Sequence, residues 1–481
     1  MKGWFSRLAG LVLLMCLPGV PAFAQPAEQE ETETQTKEED PGRRGVKLDF
    51  SGHLRPIAVW EAIDFGELGP PPRNRFTAVG ARAKLRLEGT LQDKARFFSS
   101  FILDYTEVEQ GPYTSSKSSE IGQLRLLNSF VELPGTSTLW RAGSQIQYWG
   151  NFPGSEKPTD RLNPKDFAYK SRELEDQKLP ETGVEFIWSA AAQSLSLMYI
   201  PVPKVNRLHP NQIGFLNFLG YSEVESPDVQ SNDSKYVARL YGDVGALNYA
   251  LSYIDGVNPR PDLANDGYGE PAATNSRGEF TPFQRRVELA LNGRAVFHRY
   301  RTPAVDLLYT TGDLKWILGA VSYDTADTAK GADPLKQNDW YEWLGGFEYK
   351  SDTGLWNLFA GQKIVPHADE IKDVPADADD PANPRRRRRY FQGGLLDQPR
   401  VRTDDVVFKY RKNFIGDRLE FIQDLTWYFN ENGEQVRFAL RTDAAWYFDD
   451  AHTIAARVRP GYFQNQEVVT QEIMAEVQMD F

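Results

Sequence analysis

Along most of the chain, apolar and polar residues alternate with a period of two, in segments bounded by turn-forming residues. The rhythm is clearest at the C-terminus, where Ile473, Ala475, Val477, Met479 and Phe481 share one face while Glu476, Gln478 and Asp480 take the other. It predicts strands near 46–57, 74–90, 94–108, 122–133, 137–148, 181–189, 193–201, 235–243, 246–255, 303–311, 314–324, 340–351, 354–365, 403–412, 417–429, 433–448, 452–463 and 470–481. The stretch 284–300 is also strand-like, but a strand there breaks the even count, so it is assigned to an extracellular extension or an inward fold.

The connectors carry a second rhythm. Every other one is tight: Gln92-Asp93, Pro134-Gly135-Thr136, Ala190-Ala191-Ala192, Val244-Gly245, Gly312-Asp313, Asp352-Thr353, Ile415-Gly416 and Asp449-Asp450. Those between are mostly long, notably 149–180, 202–234, 256–302 and 366–400. A closed barrel satisfies all its backbone groups inside a membrane while loops at one end are free to grow. The predicted fold is therefore an all-β transmembrane barrel, antiparallel and up-and-down, of about eighteen strands with long extracellular loops.

The first residues sharpen this picture. Lys2 and Arg7, an apolar run from Leu8 to Leu17 and then Ala22-Phe23-Ala24 have the layout of a cleavable secretory signal over 1–24. Residues 25–45 hold almost no apolar side chains and are expected to form a disordered acidic leader, which leaves 46–481 for the barrel. The only cysteine, Cys16, falls within the signal, so no disulfide or thiolate metal site is expected. The chain carries 55 basic and 67 acidic side chains, a net charge of -12, and gives no sign of nucleic-acid binding. Aromatics make up 12% of it, and clusters such as Trp427-Tyr428-Phe429 and Trp446-Tyr447-Phe448 fall where strands should meet headgroups.

Phasing each strand with its apolar residues toward lipid turns the remainder inward. In the second strand Val79, Ala81, Ala83, Leu85 and Leu87 face out, which leaves Arg82, Lys84, Arg86 and Glu88 inside. The same rule sends Arg55 inward early, and Lys409, Arg411, Arg437, Arg441, Arg457 and Arg459 inward late. A barrel closes its last strand on its first, so these ten cations are expected to form one basic wall. Such a wall in a narrow lumen gathers anions; the competing reading is that the arginines only pair with carboxylates such as Glu88, Glu420, Asp424 and Asp443 on neighbouring strands.

The third external loop, which follows the fifth strand, contains Trp149-Gly150 and then Asp160-Arg161-Leu162-Asn163-Pro164-Lys165-Asp166, after a strand bearing Arg141, Gly143 and Gln145. An Arg-x-Gly-x-Gln strand ending in Trp-Gly, followed by Asp and Asn-Pro-x-Asp, resembles a widespread family of Gram-negative outer-membrane barrels related in style to alginate-export channels. That resemblance implies transport of hydrophobic or polymeric cargo across the bacterial outer membrane. The likeness to general porins further implies a third loop folded into the pore, with Trp149, Asp160, Asn163 and Asp166 at the constriction and the two aspartates opposing the basic wall; the competing reading is an external loop capped by its own turn at Asn163-Pro164.

Arg385 to Arg389 form a run of five arginines after an acidic stretch, suited to lipopolysaccharide phosphates, an anion-gathering mouth or pairing with its own acidic half. The histidines His53, His209, His298, His367 and His452 are isolated, so neither a catalytic centre, a metal site nor a cofactor is expected. The function that follows is a channel for small or anionic solutes, or the outer-membrane component of an export system; the alternative is a closed barrel binding through its loops. Expected partners are outer-membrane lipid and lipopolysaccharide, a small-molecule or polymeric solute, and a periplasmic export partner or further copies of the chain.

Overall fold

A computed structural model describes residues 46–64, 73–91, 94–108, 121–152, 158–166, 176–207, 221–222, 233–259, 262–265, 293–325, 338–366, 402–430, 432–449, 451–465 and 468–481. The expected signal and leader and the arginine run at 385–389 lie outside the described residues.

The strands in chain order are β1 (Val46–Asp64), β2 (Arg73–Leu91), β3 (Ala95–Val108), β4 (Ile121–Pro134), β5 (Thr138–Gln145), β6 (Glu181–Ala190) and β7 (Gln193–Ile200). There follow β8 (Tyr221–Ser222), β9 (Lys235–Val244), β10 (Leu247–Val257), β11 (Asp262–Asn265), β12 (Gly293–Val296), β13 (Arg299–Thr311) and β14 (Leu314–Tyr323). The last are β15 (Trp340–Ser351), β16 (Gly354–Ile364), β17 (Arg402–Phe414), β18 (Leu419–Asn430), β19 (Gln435–Tyr447), β20 (Ile454–Asn465) and β21 (Val468–Asp480). Eighteen of them form one antiparallel sheet. The sheet closes because β1 pairs with β21 as well as with β2, from His53 opposite Asp480 to Asp64 opposite Val469. Each predicted strand has its counterpart here.

Chemistry dictates the turns. At the β9–β10 and β13–β14 reversals, Gly245 and Gly312 sit at φ 60° and 57°, the left-handed conformation that two-residue hairpins require and that glycine adopts without a Cβ clash. At the opposite end of the barrel lie the long connectors. There β8, β11 and β12 form a separate three-stranded sheet. The segment 284–300 resolves accordingly: Gly293–Val296 belongs to this accessory sheet, Arg299 and Tyr300 begin a barrel strand, and 284–292 lies outside the described residues.

Burial separates the two faces. Leu48, Phe50, Leu54, Leu103, Leu124, Trp140, Trp188, Leu318 and Leu358 are exposed on the outer face, an apolar band that water would not tolerate but hydrocarbon does. Each aromatic triplet is split by the pleat, which turns successive side chains to opposite faces. Trp446 is exposed to the outside, whereas Tyr447 turns in to meet Glu420.

Candidate functional site

The alternation predicted a strand running to 148, but β5 leaves the wall at Gln145. Side chains replace the neighbouring strand at that point: Asn128 Oδ1 accepts the Ile146 amide (2.7 Å) and Asn163 Oδ1 accepts the Gln147 amide (2.7 Å). The backbone is freed from its ladder without losing its hydrogen bonds, and the chain turns inward.

Asn163 also donates from Nδ2 to the Gln145 and Leu179 carbonyls, both at 3.0 Å, so one buried amide ties the outgoing leg of the loop to its returning leg. Asp160 repeats the device with charge, accepting the Trp149 amide (3.3 Å) and the Lys178 ammonium (2.7 Å), while Lys178 also donates to the Gln147 carbonyl. Backbone bonds from Leu179 N to Pro164 O and from Asp166 N to Gln177 O complete the fold-back. Gly143, at φ 134°, brings β5 close to β4, where a Cβ would meet Ser129 O at 2.2 Å. In this chain the Trp-Gly, Asp and Asn-Pro-x-Asp elements are therefore the joints that shape the loop.

This loop touches opposite sides of the barrel. Trp149 and Leu162 are buried among Met198, Ile200, Val237, Ile254, Tyr323 and Trp340. Phe152 packs with Ile317, Leu344, Phe359 and Val407 and fills the space over Gly319, where a Cβ would stand 2.6 Å from its ring. Thr159 donates to Asp306 of β13 (2.6 Å), and Arg161 pairs with Glu342 of β15 (2.7 Å). Across the barrel, Asp176 faces Lys84 (3.7 Å) and Arg55 (3.9 Å) of β2 and β1, and Asp166 faces Arg125 of β4 (3.2 Å) and Arg207 (3.8 Å). In a closed sheet only the interior reaches all these strands at once, so the loop lies in the lumen, and the face carrying Arg55, Lys84, Asp306 and Glu342 is the inner one.

The registers place the ten cations of the basic wall on that inner face. Arg55 lies opposite Arg82, Lys409 and Arg441 both lie opposite Asp424, Arg437 opposite Tyr428, and Arg457 opposite Glu476. Arg86, Arg411 and Arg459 keep the same phase along their strands.

The wall is interleaved with carboxylates. Arg82 pairs with Asp104 (3.0 Å), Arg86 with Glu88, Arg411 with Glu420, and Arg459 with both Asp443 (2.8 Å) and Glu476 (3.2 Å). Arg437 and Arg441 lie over the rings of Tyr428 and Phe463. Arg55, Arg82 and Arg459 are buried, whereas the Arg411 side chain is 53% exposed.

The predicted opposition of Asp160 and Asp166 to this wall takes a different form. Asp160 is held within the loop by Lys178, and Asp166 engages Arg125 and Arg207, so it is Asp176 that faces Arg55 and Lys84. Sequence reasoning also missed Arg125, Arg161, Lys178 and the fully buried pair Lys235–Glu181, whose lysine also donates to the Leu162 carbonyl. Arg161 and Lys178 lie in a long connector, where no periodicity could mark them, while Arg125, Glu181 and Lys235 sit in strands, where the alternation gives a face but not a partner remote in sequence. Beside that pair, outside the barrel wall, burial pulls the Lys204 ammonium below its ordinary range, with Glu181 acting in the opposite sense. Among the described residues, no three His, Cys, Asp or Glu are grouped to hold a metal ion.

No family model matches the chain, and no curated protein matches it. Its shape does find counterparts among solved structures. The crystal structure of Acinetobacter baumannii OccAB1 matches with a TM-score of 0.51 at 11% identity, covering 90% of this chain and 97% of that one. Pseudomonas aeruginosa OpdQ (TM-score 0.50, 10% identity) and OpdL (0.50, 11%) each cover 90% of this chain, and 98% and 99% of their own. At such identities the shared property is the fold: an eighteen-stranded closed barrel spanning nearly the whole length of each of these proteins.

Proposed function

We propose that the protein is an outer-membrane channel that passes small, preferentially anionic solutes through a lumen narrowed by the 146–180 loop. The observation that carries this reading is the division of the interior. The loop packs its apolar residues against the side that runs from β7 to Val407 of β17, while the cations from Lys409 of β17 to Arg459 of β20 look across the lumen, with Arg411 and Arg437 exposed there. Cations lining a low-dielectric conduit raise the local concentration of anions, even though the whole chain is acidic.

The apolar outer band and the closed hydrogen-bond ladder support a barrel that spans a bilayer; in this reading the long connectors face outside the cell and the tight turns face the periplasm. Residues 1–24 serve as the export signal, and the acidic leader stays in the periplasm. Lipopolysaccharide is the natural neighbour of the external rim, with Arg385 to Arg389 available to its phosphates. The barrel works through positioning and charge, without catalysis.

Purified protein in planar bilayers is the direct test. Discrete conductance steps with anion preference are expected, and neutralising Arg82, Arg86, Arg437 and Arg441 together should reduce that preference. A barrel that inserts but carries no current would overturn the reading.

A further inference from the structure

Arg239 lies on the inner face of β9, on the side of the lumen that the loop covers and away from the basic wall. Its guanidinium carbon stands 5.1 Å from the ring centroids of both Trp149 and Tyr241. Among the described residues no carboxylate lies within ion-pair distance of it, and its Nε is buried without a hydrogen-bond partner.

Three carboxylates on this side of the lumen are engaged by other residues. Asp160 is taken by Lys178, Glu185 by Arg141, and one oxygen of Asp306 accepts the Thr159 hydroxyl. The cross-strand neighbours of Arg239 are Ser196 and Ser252, short side chains that carry no charge to pair with it.

The geometry points to an oxyanion-binding site centred on Arg239. Aromatic rings attract the face of a guanidinium and leave its edge, where the N–H donors lie, directed outward. Such an edge matches two oxygens of a carboxylate or a phosphate, which an ammonium cannot do in the same bidentate way. Two arrangements in this chain keep the site from being satisfied internally: the loop brings Trp149 to Arg239, and Asp160 is drawn off by Lys178. The inference rests on the lumen being a solute path, and it adds a recognition point separate from the wall.

The test is a titration of the detergent-solubilised full chain with sodium acetate and, separately, sodium phosphate at constant ionic strength, read by tryptophan fluorescence. A saturable change is expected with at least one of the two salts, and the salt that produces it identifies the oxyanion. Arg239→Gln should abolish the change. Trp149→Phe should remove the signal, which assigns it to that ring among the 11 tryptophans.

Arg239→Lys keeps the charge and is the milder substitution; it should weaken apparent affinity by about tenfold because the fork is lost. Identical curves for wild type, Arg239→Gln and Arg239→Lys would overturn the proposal, as would no response to either salt. Because the readout is binding, it is independent of the bilayer measurement: a barrel without current but with an intact titration sinks the channel reading alone.

Discussion

Asn163 shows how much one side chain can determine. Its amide makes three hydrogen bonds that link residues 145, 147 and 179. Removing a buried amide leaves its partners unsatisfied, at about 1–3 kcal/mol per group. Asn163→Ala is therefore expected to lower resistance to urea and to broaden the conductance steps as the loop loosens; steps of unchanged width would mean that the loop is held by its apolar contacts alone.

A second residue-scale case lies at the tight-turn end, in the β19–β20 reversal. Asp449 accepts hydrogen bonds from the Thr453 hydroxyl (2.7 Å), the Thr453 amide (3.1 Å) and the Ile454 amide (2.9 Å). The Thr453 hydroxyl foremost, with the Ile454 amide, holds its carboxyl at about 2, below the ordinary 3.8. A depressed value means that the stabilisation is fully present above the ordinary carboxylate range and is lost as pH falls toward 2. Asp449→Asn should thus be less stable than wild type at neutral pH, and the gap should close by about pH 2. Urea unfolding at the two pH values checks the sign.

At the scale of the strand, the pleat makes the two faces independent of one another. Leu358 is 42% exposed on the outer face near the middle of β16, whereas its neighbour Phe359 is buried inside beside Phe152. An arginine placed on the lipid face near the bilayer centre costs about 2–4 kcal/mol. Leu358→Arg should cost that much in refolding into lipid vesicles while leaving the conductance of the assembled barrel unchanged.

This independence is also why the strands were legible from sequence. Period-two patterning is a property of each segment alone, and the tight turns fix where each begins and ends. Where patterning is overruled, the cause is a side chain remote in sequence. β5 stops at Gln145 because Asn128 and Asn163 supply the acceptors that a continuing strand would have needed. The inward phase of Arg82 could be read from Val79, Ala81 and Ala83, but its pairing with Asp104 depends on the register between strands.

Across the whole molecule, the loop divides the interior into a side that it packs against and fills and a side lined by the basic wall. The division is maintained by long-range contacts that no local pattern announces, and Asp176 is the clearest example. Its carboxylate offsets Arg55 and Lys84, so Asp176→Asn should raise the anion-to-cation permeability ratio, measured as a shift of the reversal potential under a salt gradient. No shift would mean that these two cations stand away from the path of the ions.

The pairing of β1 with β21 governs how the protein comes into being. Until those two strands meet, each partly built sheet ends in two rows of bare amides and carbonyls, which hydrocarbon penalises and which other nascent chains can capture. The seam unites the two ends of the described barrel, β1 and β21, so its loop-closure entropy is the largest of any ladder and it is expected to form last. The closed ladder is therefore complete only at its last step, and a chaperone that shields the open edges until then is expected to raise the yield of the barrel.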